Sequence, residues 1–442
     1  MSICGLHPSS AHPPALSADD AAAAQENLPF VLVELKAYVA KRDNATTAFS
    51  ETCDGKKIQV TCCLRRPPRV SYVCVHSPDA AEINMEPTVL ATEEGFILIR
   101  VTIGAKGGQQ KKNIDYYVYQ ADGAGGPSLT LLPRPPTGYS FNASNIGILV
   151  CRPDDDDQSG FFLQPHRPDD NKGYIVVGLH RKLGQPPGHF TLCIYDEKDG
   201  FWKTHPVSLS LQEQGNDFAH INCKVIAIGG RSGTMAFVDL WRGIIFCDVC
   251  MDAPLLSYVK LPEPLKRTKI LQGDSRLCRD IAVVGNRLKY VELQVRYKAS
   301  VVFKDHCVTN GWVAAIWSRP ASSVSTEGWQ EQSWVMDATG LKVDSEHLNL
   351  LPKVQNDEGC ILPPFLRVYI CQPVLGLGDG KDIIYFTVKR NRGDADGWVV
   401  SVDLENKEVL GVAPFAAQRY IVINHAYMSS RISRYMSEYA GD

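Results

Sequence analysis

A recurring two-strand pattern constrains the fold of this chain more than any other feature of its sequence. In each copy a hydrophobic strand ends at an Asp or a substitute for it, a short turn follows, and a second strand begins. The copies are DYYVYQADGAGGPSLTLLP, FTLCIYDEKDGFWKTHPVSL, MAFVDLWRGIIFCDV, SWVMDATGLKV and WVVSVDLENKEVLGVAPF. Long helical periodicity is nearly absent, and short runs rich in β-branched and aromatic residues end at Gly, Pro, Asn or Asp. The sequence therefore predicts an all-β protein built from repeated hairpins.

The spacing of the copies indicates a single β-propeller. Taking Gln120, Asp196, Asp239, Asp337 and Asp403 as equivalent positions, the separations are 76, 43, 98 and 66 residues. A four-stranded blade takes about 40 to 50 residues, so the shortest separation fits one blade, the longest fits two, and the others fit single blades with insertions. The hairpin RDIAVVGNRLKYVELQ, with its Gly-Asn turn, supplies the blade missing from the longest separation. We expect six blades of antiparallel four-stranded sheets, with five or seven as alternatives.

One hairpin, GTMAFVDLWRGIIFCDV, shows how such a repeat should be built. Asp239 is expected to accept hydrogen bonds from backbone amides at the turn, and Gly243 to adopt a positive φ there. Alternation along the two strands is expected to bury Phe237, Trp241 and Phe246 against neighbouring sheets. A single repeat cannot bury its own face, so radial closure by several blades is what stabilises it.

The chain is expected to divide into three segments. Residues 1–28 are predicted to be a disordered leader and residues 29–425 to form the propeller. Residues 426–442 are predicted to form a short C-terminal helix and tail, in which Ile432, Tyr435 and Met436 fall on one helical face. Because PFVLVEL follows the leader directly and no complete first blade precedes it, we expect this N-terminal strand to complete the last blade and close the ring.

Composition and charge argue against several classes of protein. The net charge is −3 and the pI about 6.4, which gives no global electrostatic footprint for nucleic acid or anionic lipid. No stretch approaches the roughly 18 to 20 apolar residues that span a bilayer, and no secretory signal is recognisable. Many of the 14 cysteines lie within apolar runs, where free Cys behaves as a small hydrophobe. We expect a monomeric, reduced, cytoplasmic or nuclear protein that binds neither nucleic acid nor membrane.

Several stretches together resemble a known plant family. They are AYVAKRDNATTAFSETCDGKKIQVT, PPRVSYVCVHSP, GTMAFVDLWRGIIFCDV with YVKLPEP, GWVAAIWSRPASSVSTEGWQEQSWVMDATGL, and WVVSVDLENKEVLGVAPF with SSRISRYMSEY. They resemble the grass-expanded family called domain of unknown function 1618 from about Val33 to Tyr439, most specifically from Gly233 to Leu341. That family has no accepted activity and no catalytic residues to carry over. Some relatives carry an F-box, for which residues 1–28 are too short and too rich in Ala and Pro, so the resemblance implies at most the substrate-binding half of a ubiquitin-ligase receptor.

Two motifs resemble ligand sites but fit a structural role better. Cys247 and Cys250 have the spacing of a zinc knuckle, yet no second CxxC supplies the remaining ligands, and residues three apart on a strand point to opposite faces. The segment Gly376–Asp382 resembles a phosphate-binding loop, but its glycine spacing is one residue short. A strand follows it in place of a helix. We interpret the first motif as strand cysteines and the second as a hairpin turn.

Other candidate groups lack the spacing that their chemistry requires. The acidic run Asp154–Asp157, with Asp169 and Asp170, has no calcium-loop pattern and is interpreted as a solvated loop. No GxSxG is present, and the histidines are scattered, although a propeller axis could gather side chains from several blades. Tryptophans recur at matching hairpin positions, which favours blade packing over a stacking platform. The sequence assigns no catalytic, cofactor-binding or metal-ligating residue. The histidines in question are His76, His180, His205, His220 and His306, and the tryptophans Trp202, Trp241, Trp312, Trp317, Trp329, Trp334 and Trp398.

The sequence favours a protein-interaction module without catalytic activity, holding an unidentified protein partner on a loop face that includes RPDDDDQSG and ASSVSTEGWQ. The alternative is a propeller enzyme with an axial acid or histidine site acting on a small molecule or glycan, and a weaker third option is a sugar-binding propeller. An enzyme should show ionisable residues converging in a deep axial pocket, whereas an interaction module should show a broad, loop-rich face.

Overall fold

The computed structural model describes residues 6–17, 20, 26–79, 83–104, 113–123, 125–151, 173–181, 184–210, 218–265, 273–299, 307–322, 327–355, 358–378, 380–420 and 425–436. These residues form six β-sheets arranged as the blades of a propeller, which confirms the predicted all-β class and the predicted six blades. Each of blades 2 to 6 is an antiparallel four-stranded sheet whose strands follow one another in sequence. No described helix is long and apolar enough to cross a bilayer.

Blades 1 to 4 occupy the first part of the chain, from Val31 to Lys260. Blade 1 contains β1 Val31–Glu34, β2 Tyr38–Val39, β3 Ala48–Glu51, β4 Lys57–Cys63 and β5 Val70–His76. Blade 2 contains β6 Thr88–Glu93, β7 Phe96–Ile103, β8 Asn113–Gln120 and β9 Ser128–Leu131. Blade 3 contains β10 Ile146–Cys151, β11 Gly173–Arg181, β12 His189–Asp196 and β13 Phe201–Ser208. Blade 4 contains β14 Lys224–Gly229, β15 Thr234–Asp239, β16 Gly243–Asp248 and β17 Leu256–Lys260.

The second half of the ring follows the same order. Blade 5 contains β18 Arg279–Val284, β19 Arg287–Ala299, β20 Cys307–Pro320 and β21 Gln330–Asp337. Blade 6 contains β22 Tyr369–Leu375, β23 Ile383–Lys389, β24 Asp396–Asp403 and β25 Glu408–Ala416. The last strand, β26 Tyr427–Ser430, joins blade 1. One α-helix, α1 Ser345–Leu350, is described, and short 3₁₀ helices cover Pro8–Ala11, Ser275–Leu277, Ala338–Gly340, Ala417–Tyr420 and Ile432–Tyr435.

Apolar side chains are buried between neighbouring blades, because most strands of a blade face another sheet on each side. One core cluster joins blades 1 and 2, a second joins blades 2 and 3, and a third joins blades 3 and 4. Further clusters join blades 4 and 5, and blades 5 and 6, the last extending to Leu32 and Val70 of blade 1. Each sheet therefore completes its burial only when both neighbours are present.

The ring is closed by both ends of the chain in blade 1. Strand β1 pairs antiparallel with β26 and parallel with β5, so the sheet order is β26-β1-β5-β4-β3. This differs from the expectation that the N-terminal strand completes the last blade, because blade 6 already has four strands from one continuous stretch. The N-terminal strand instead completes the first blade, together with a strand from the C-terminal segment.

A buried ion pair fixes this closure. Arg419, in the connection after blade 6, donates from Nη2 to Glu34 of β1, and both side chains are buried. The same guanidinium donates to the carbonyl oxygens of Ala37 (3.2 Å) and Lys36 (2.9 Å) and lies over the ring of Tyr38. The charges are therefore satisfied by several partners, which a buried ion pair requires.

Within residues 426–436, the described part of the predicted C-terminal segment, a strand precedes a single helical turn. The strand is β26, and the helix is the single 3₁₀ turn Ile432–Tyr435. Ile432, Tyr435 and Met436 are nevertheless buried, in the cluster between blades 1 and 2. The backbone groups of residues 427–430 pair with β1, so this stretch is a strand of the closing sheet.

Part of the predicted leader packs against the ring. The carbonyl of Pro14 accepts a hydrogen bond from Tyr72 Oη at 2.7 Å, and Glu86 accepts one from the backbone N–H of His7 at 3.0 Å. Asp20 is buried and forms ion pairs with Arg65 and Arg69. These contacts hold the described residues of the leader on blade 1 and on the connection that follows it.

The hairpin GTMAFVDLWRGIIFCDV forms β15 and β16, but its glycine is required for a different reason than expected. Asp239 accepts hydrogen bonds from the backbone N–H groups of Trp241 and Ile221, each at 2.9 Å, as predicted for the turn. Gly243 does not have a positive φ. A Cβ there would lie 2.4 Å from Tyr258 Oη and 2.6 Å from the Val259 carbonyl oxygen, so close approach of β17 explains the residue.

The connectivity defines two faces of the ring. Because successive strands in blades 2 to 6 are antiparallel and the first strand lies innermost, the inter-blade connections enter at one face, which we call the connection face. The turns between first and second strands and between third and fourth strands lie at the opposite face, the turn face. The connections include residues 132–145, 209–223, 261–278 and 338–368, whereas most turns at the turn face are short.

Candidate functional site

The innermost strands surround an axial channel. It is a cavity of about 580 Å³ lined by β6, β10, β14, β18 and β26, together with the residues that follow β22. Apolar side chains from several blades form much of its wall, and a few ionisable side chains interrupt them. Its volume lies within the usual range for small-molecule sites.

Four ionisable residues form what we call the axial polar group: Lys224, Arg276, Asp280 and His425. Arg276 and His425 lie in inter-blade connections, and Lys224 and Asp280 are the first and second residues of inner strands. The group therefore lies toward the connection face. Lys224 belongs to blade 4 and Asp280 to blade 5, Arg276 lies in the connection between these blades, and His425 lies in the connection between β25 and β26.

Hydrogen bonds fix the carboxylate of Asp280, within this group, and that of Asp274, beside it. Lys224 Nζ donates to Asp280 Oδ1 at 2.6 Å, and the other oxygen of Asp280 accepts the backbone N–H of Leu375 at 3.0 Å. Asp280 thus links the inner strands of blades 4, 5 and 6. Arg276 is held by Asp274, which accepts from Nε at 2.9 Å and from Nη2 at 2.8 Å.

His425 lies deep in the molecule while keeping part of its surface open to the channel. Burial, reinforced by the positive charges of Arg276 and Lys224, holds the pKa of His425 well below its ordinary value. The imidazole is therefore neutral near pH 7. It can donate one hydrogen bond and accept another without bringing a charge into the channel.

The candidate metal and phosphate motifs lie outside this group. Cys247 is buried in β16, and burial raises its pKa to about 12. Cys250 is exposed and shares a hydrogen bond with Cys151 of blade 3, which lowers the pKa of the Cys250 thiol. Among the described residues no group of three or more His, Cys, Asp or Glu could hold a metal ion. Gly376–Asp382 connects β22 to β23, as predicted for a hairpin turn.

The other predicted candidates are dispersed. The acidic residues 154–157, 169 and 170, like His306, lie outside the described residues. His76, His180, His205 and His220 do not line the axial channel. The loop RPDDDDQSG also lies outside the described residues, and ASSVSTEGWQ is described only in part. The described residues of ASSVSTEGWQ lie between β20 and β21, at the turn face.

The tryptophans whose side chains are described contribute to packing between and within blades. Trp202 of blade 3 donates to the Pro133 carbonyl at 2.9 Å, and Trp329 of blade 5 donates to the Lys260 carbonyl at 2.8 Å. Each of these bonds crosses from one blade to the chain of the preceding blade or connection. Trp312 is fully buried against Phe365 and Phe386. This supports the interpretation of these residues as packing residues.

Sequence reasoning did not find the axial polar group. Its four members have no shared local motif, and more than 140 residues separate His425 from the others. The only sequence signal available was positional: each lies in a connection or at the start of an inner strand. Recognising that signal requires the blade boundaries, which the sequence pattern assigned only in part.

Comparisons with known proteins relate part of the chain to one family. Residues 237–385, from β15 of blade 4 to β23 of blade 6, match the family described as "Protein of unknown function (DUF1618)". This supports the predicted resemblance to that family. No curated protein matches the chain.

Two solved structures, both of levansucrase mutants from B. megaterium, have low similarity to the chain. The first is 10% identical with a TM-score of 0.27, and the match covers 96% of this chain and 99% of that one. The second is 11% identical with a TM-score of 0.25, and covers 92% and 97%. Scores this low do not establish a common fold.

Proposed function

We propose that this protein is a non-catalytic interaction module that holds a protein partner on its connection face. The observation that carries the proposal is the placement of exposed apolar side chains. Met85, Ile221, Leu348, Leu350 and Ile361 are all solvent-exposed, and all lie in inter-blade connections. Exposed apolar residues at one face of a protein are typical of an interaction surface.

This partner face differs from the one that the sequence suggested. The loop RPDDDDQSG lies outside the described residues, and the described part of ASSVSTEGWQ lies at the turn face. The exposed large apolar residues in the turns of that face are Met251 and Leu255, with Phe201 and Leu410 near the adjoining ends of β13 and β25. The connection face offers more such residues, spread over the connections of several blades, and the longest of these contains α1. A rigid ring that presents its partner-binding residues on loops is the usual arrangement for recognition.

The proposed setting is intracellular, in a plant cytoplasm or nucleus, and the protein is proposed to act as a monomer. The resemblance to the plant family supports this setting. Substrate recognition for a ubiquitin ligase is one form that the interaction could take. Recovery of a ligase adaptor with the protein would identify that form.

A pair of matched surface variants tests the proposal. Leu348→Ser with Leu350→Ser changes two exposed leucines of α1, and Met251→Ser with Leu255→Ser changes two exposed residues of the turn face. Wild type and both variants are used as baits in plant extract, with quantitative mass spectrometry of the bound proteins. We expect the first variant to lose a bound protein about fivefold or more, equivalent to about 1 kcal/mol, and the second to keep it. Equal recovery with both variants, or loss with the turn-face variant alone, would contradict the proposal.

The competing function is a propeller enzyme with an axial acid or histidine site. One observation favours it, namely that Asp280 and His425 line the same cavity. Both oxygens of Asp280 already accept hydrogen bonds, so an acid–base role would require one of these bonds to break. A screen with chromogenic glycosides and esters, run with wild type and His425→Gln, separates the two functions. Turnover that disappears in the variant would support the enzyme and contradict a non-catalytic module.

A further inference from the structure

The axial polar group has spare hydrogen-bond donors and no spare carboxylate. Asp274 Oδ1 accepts hydrogen bonds from Nε and the backbone N–H of Arg276, and Asp274 Oδ2 accepts one from Nη2 of the same residue. Asp280 is engaged on both oxygens by Lys224 and the Leu375 amide. Neither carboxylate therefore needs a partner from the channel.

The cationic side chains, by contrast, retain donors. An ammonium has three N–H donors, and one of those on Lys224 is directed to Asp280. The guanidinium of Arg276 uses Nε and Nη2 for Asp274, which leaves Nη1 as a donor. His425 adds a neutral ring to the same cavity. The group therefore matches a ligand that supplies acceptor oxygens.

Beyond the polar group the middle of the channel wall is apolar, and Glu93, Glu94, Arg231 and Arg431 line its end at the turn face. Leu90 of blade 2, Ile148 of blade 3, Ile226 of blade 4 and Ile281 of blade 5 line it, each from an inner strand. A ligand whose acceptor group met Arg276 and Lys224 would place the rest of its structure along this wall. An apolar body there would be removed from water.

We propose that the axial channel binds a small organic oxyanion, a carboxylate or a phosphate monoester, with its head at Lys224 and Arg276 and a short apolar body along the inner strands. Arg276 and Lys224 provide charge-assisted hydrogen bonds to the head, and these are stronger than neutral ones. The cavity of about 580 Å³ has room for such a molecule. This site does not depend on the protein partner proposed above, because it lies inside the ring.

Calorimetric titration of the full-length protein with matched probes tests the site. The probes are 4-phenylbutyrate, its neutral amide 4-phenylbutyramide, phenyl phosphate and inorganic phosphate. We expect one or both organic anions to bind, and the amide to bind about tenfold more weakly or worse, since it lacks the charge that Arg276 and Lys224 recognise. Tighter binding of 4-phenylbutyrate assigns a carboxylate head, and tighter binding of phenyl phosphate assigns a phosphate head. Inorganic phosphate, which has no apolar body, should bind more weakly than phenyl phosphate.

Two variants and a control locate the binding. Arg276→Gln removes the charge, and His425→Gln changes the ring that faces the cavity without changing its charge. Arg296→Gln breaks an exposed Arg–Asp337 pair outside the channel and serves as the control. We expect Arg276→Gln to weaken anion binding about tenfold or more, with no effect on the amide, and Arg296→Gln to leave it unchanged. Thermal unfolding of each variant verifies that it is folded.

The outcomes separate cleanly. Anion-selective binding that Arg276→Gln weakens and Arg296→Gln does not would support the site, and a further loss in His425→Gln would place the ligand beside that ring. Equal affinity for the acid and its amide, no heat with any probe, or anion binding unchanged in folded Arg276→Gln would overturn it.

Discussion

Gly243 shows how one residue can be identified from sequence for the wrong physical reason. The turn after Asp239 was expected to need a positive φ, which a glycine provides without strain. The backbone there is ordinary, and the residue is instead constrained by β17, which leaves no room for a Cβ. Sequence alone cannot distinguish these two causes, because the constraint comes from a strand thirteen or more residues away.

The two causes predict different effects of substitution. Gly243→Ala should destabilise the protein by about 1 to 3 kcal/mol because the new methyl group overlaps Tyr258 and the Val259 carbonyl. Gly243→Asn should be at least as harmful, whereas Asn would be tolerated if a positive φ were the requirement. Gly393→Ala, at a position with open space, is the control. Urea unfolding of the three variants measures the differences, and a mild Gly243→Asn would contradict the steric explanation.

His220 is a buried histidine with an unusual environment. Its ring lies among Phe190, Phe218 and Tyr258, its Nε2 is 2.8 Å from Asn222 Oδ1, and its Nδ1 has no hydrogen-bond partner in the described structure. Burial lowers the pKa of His220 to about 4, against the opposing effect of Asp239. The folded state therefore holds this histidine in its neutral form.

This environment predicts a pH dependence of stability. An unfolded histidine binds its proton near pH 6.5, so between about pH 6.5 and pH 4 the unfolded chain binds more protons than the folded one at this residue. As the pH is lowered from about 6.5 to about 4, the free energy of unfolding should therefore fall, with up to about 3 kcal/mol of the loss due to His220. Above about pH 6.5 the protonation of His220 should not affect stability. Urea unfolding of wild type, His220→Gln and the exposed control His189→Gln at several pH values isolates the contribution. An identical pH slope in wild type and His220→Gln would contradict it.

At the scale of elements, the sequence pattern identifies the repeated hairpins correctly but does not identify which strands of a blade each hairpin contains. Gln120, Asp196 and Asp403 end third strands of their blades, but Asp239 ends a second strand and Asp337 a fourth. The hairpin assigned to a separate blade between Asp239 and Asp337 is β18–β19 of the same blade that Asp337 ends. The predicted count of six was nevertheless right, because the extra blade offset the one missed at the N-terminus.

The reason for this error is physical. An Asp followed by a tight turn satisfies backbone amides at the end of any strand, so it marks hairpins without marking their position in a blade. Blade 1 was missed because its closure uses β1 and β26, which are separated by almost the whole chain, and no local pattern reports such pairing.

The buried ion pair between Arg419 and Glu34 predicts how strongly β1 is held in the closed ring. Arg419→Met leaves the carboxylate of Glu34 buried without its partner, and should destabilise the protein by about 3 to 5 kcal/mol. Replacing both residues, as Glu34→Gln with Arg419→Met, should recover part of that loss because no charge remains buried. Denaturant unfolding of wild type, both single variants and the double variant measures the coupling. Additive effects in the double variant would show that the pair does not act as proposed.

At the scale of the whole molecule, the fold class was predictable and the axial polar group was not. Short strands and turns specify hairpins locally, and the need of each hairpin for two covered faces favours a ring. The channel side chains are gathered only when that ring closes. Lys224, Arg276, Asp280 and His425 thus acquire their common environment from closure, which local sequence does not encode.

Hydrogen exchange with mass spectrometry, applied to the intact chain, tests the closed ring most directly. Amides in a strand paired on both sides exchange through large openings, whereas those of an unpaired end exchange quickly. If β1 and β26 close the ring, the peptide covering residues 31–34 should exchange about as slowly as those covering β15 and β16. The peptide covering residues 427–430 should exchange about as slowly as that covering β14, which like β26 is an edge strand of its sheet. Rapid exchange of either terminal strand, while the strands of blades 2 to 6 remain protected, would contradict closure and the axial channel with it.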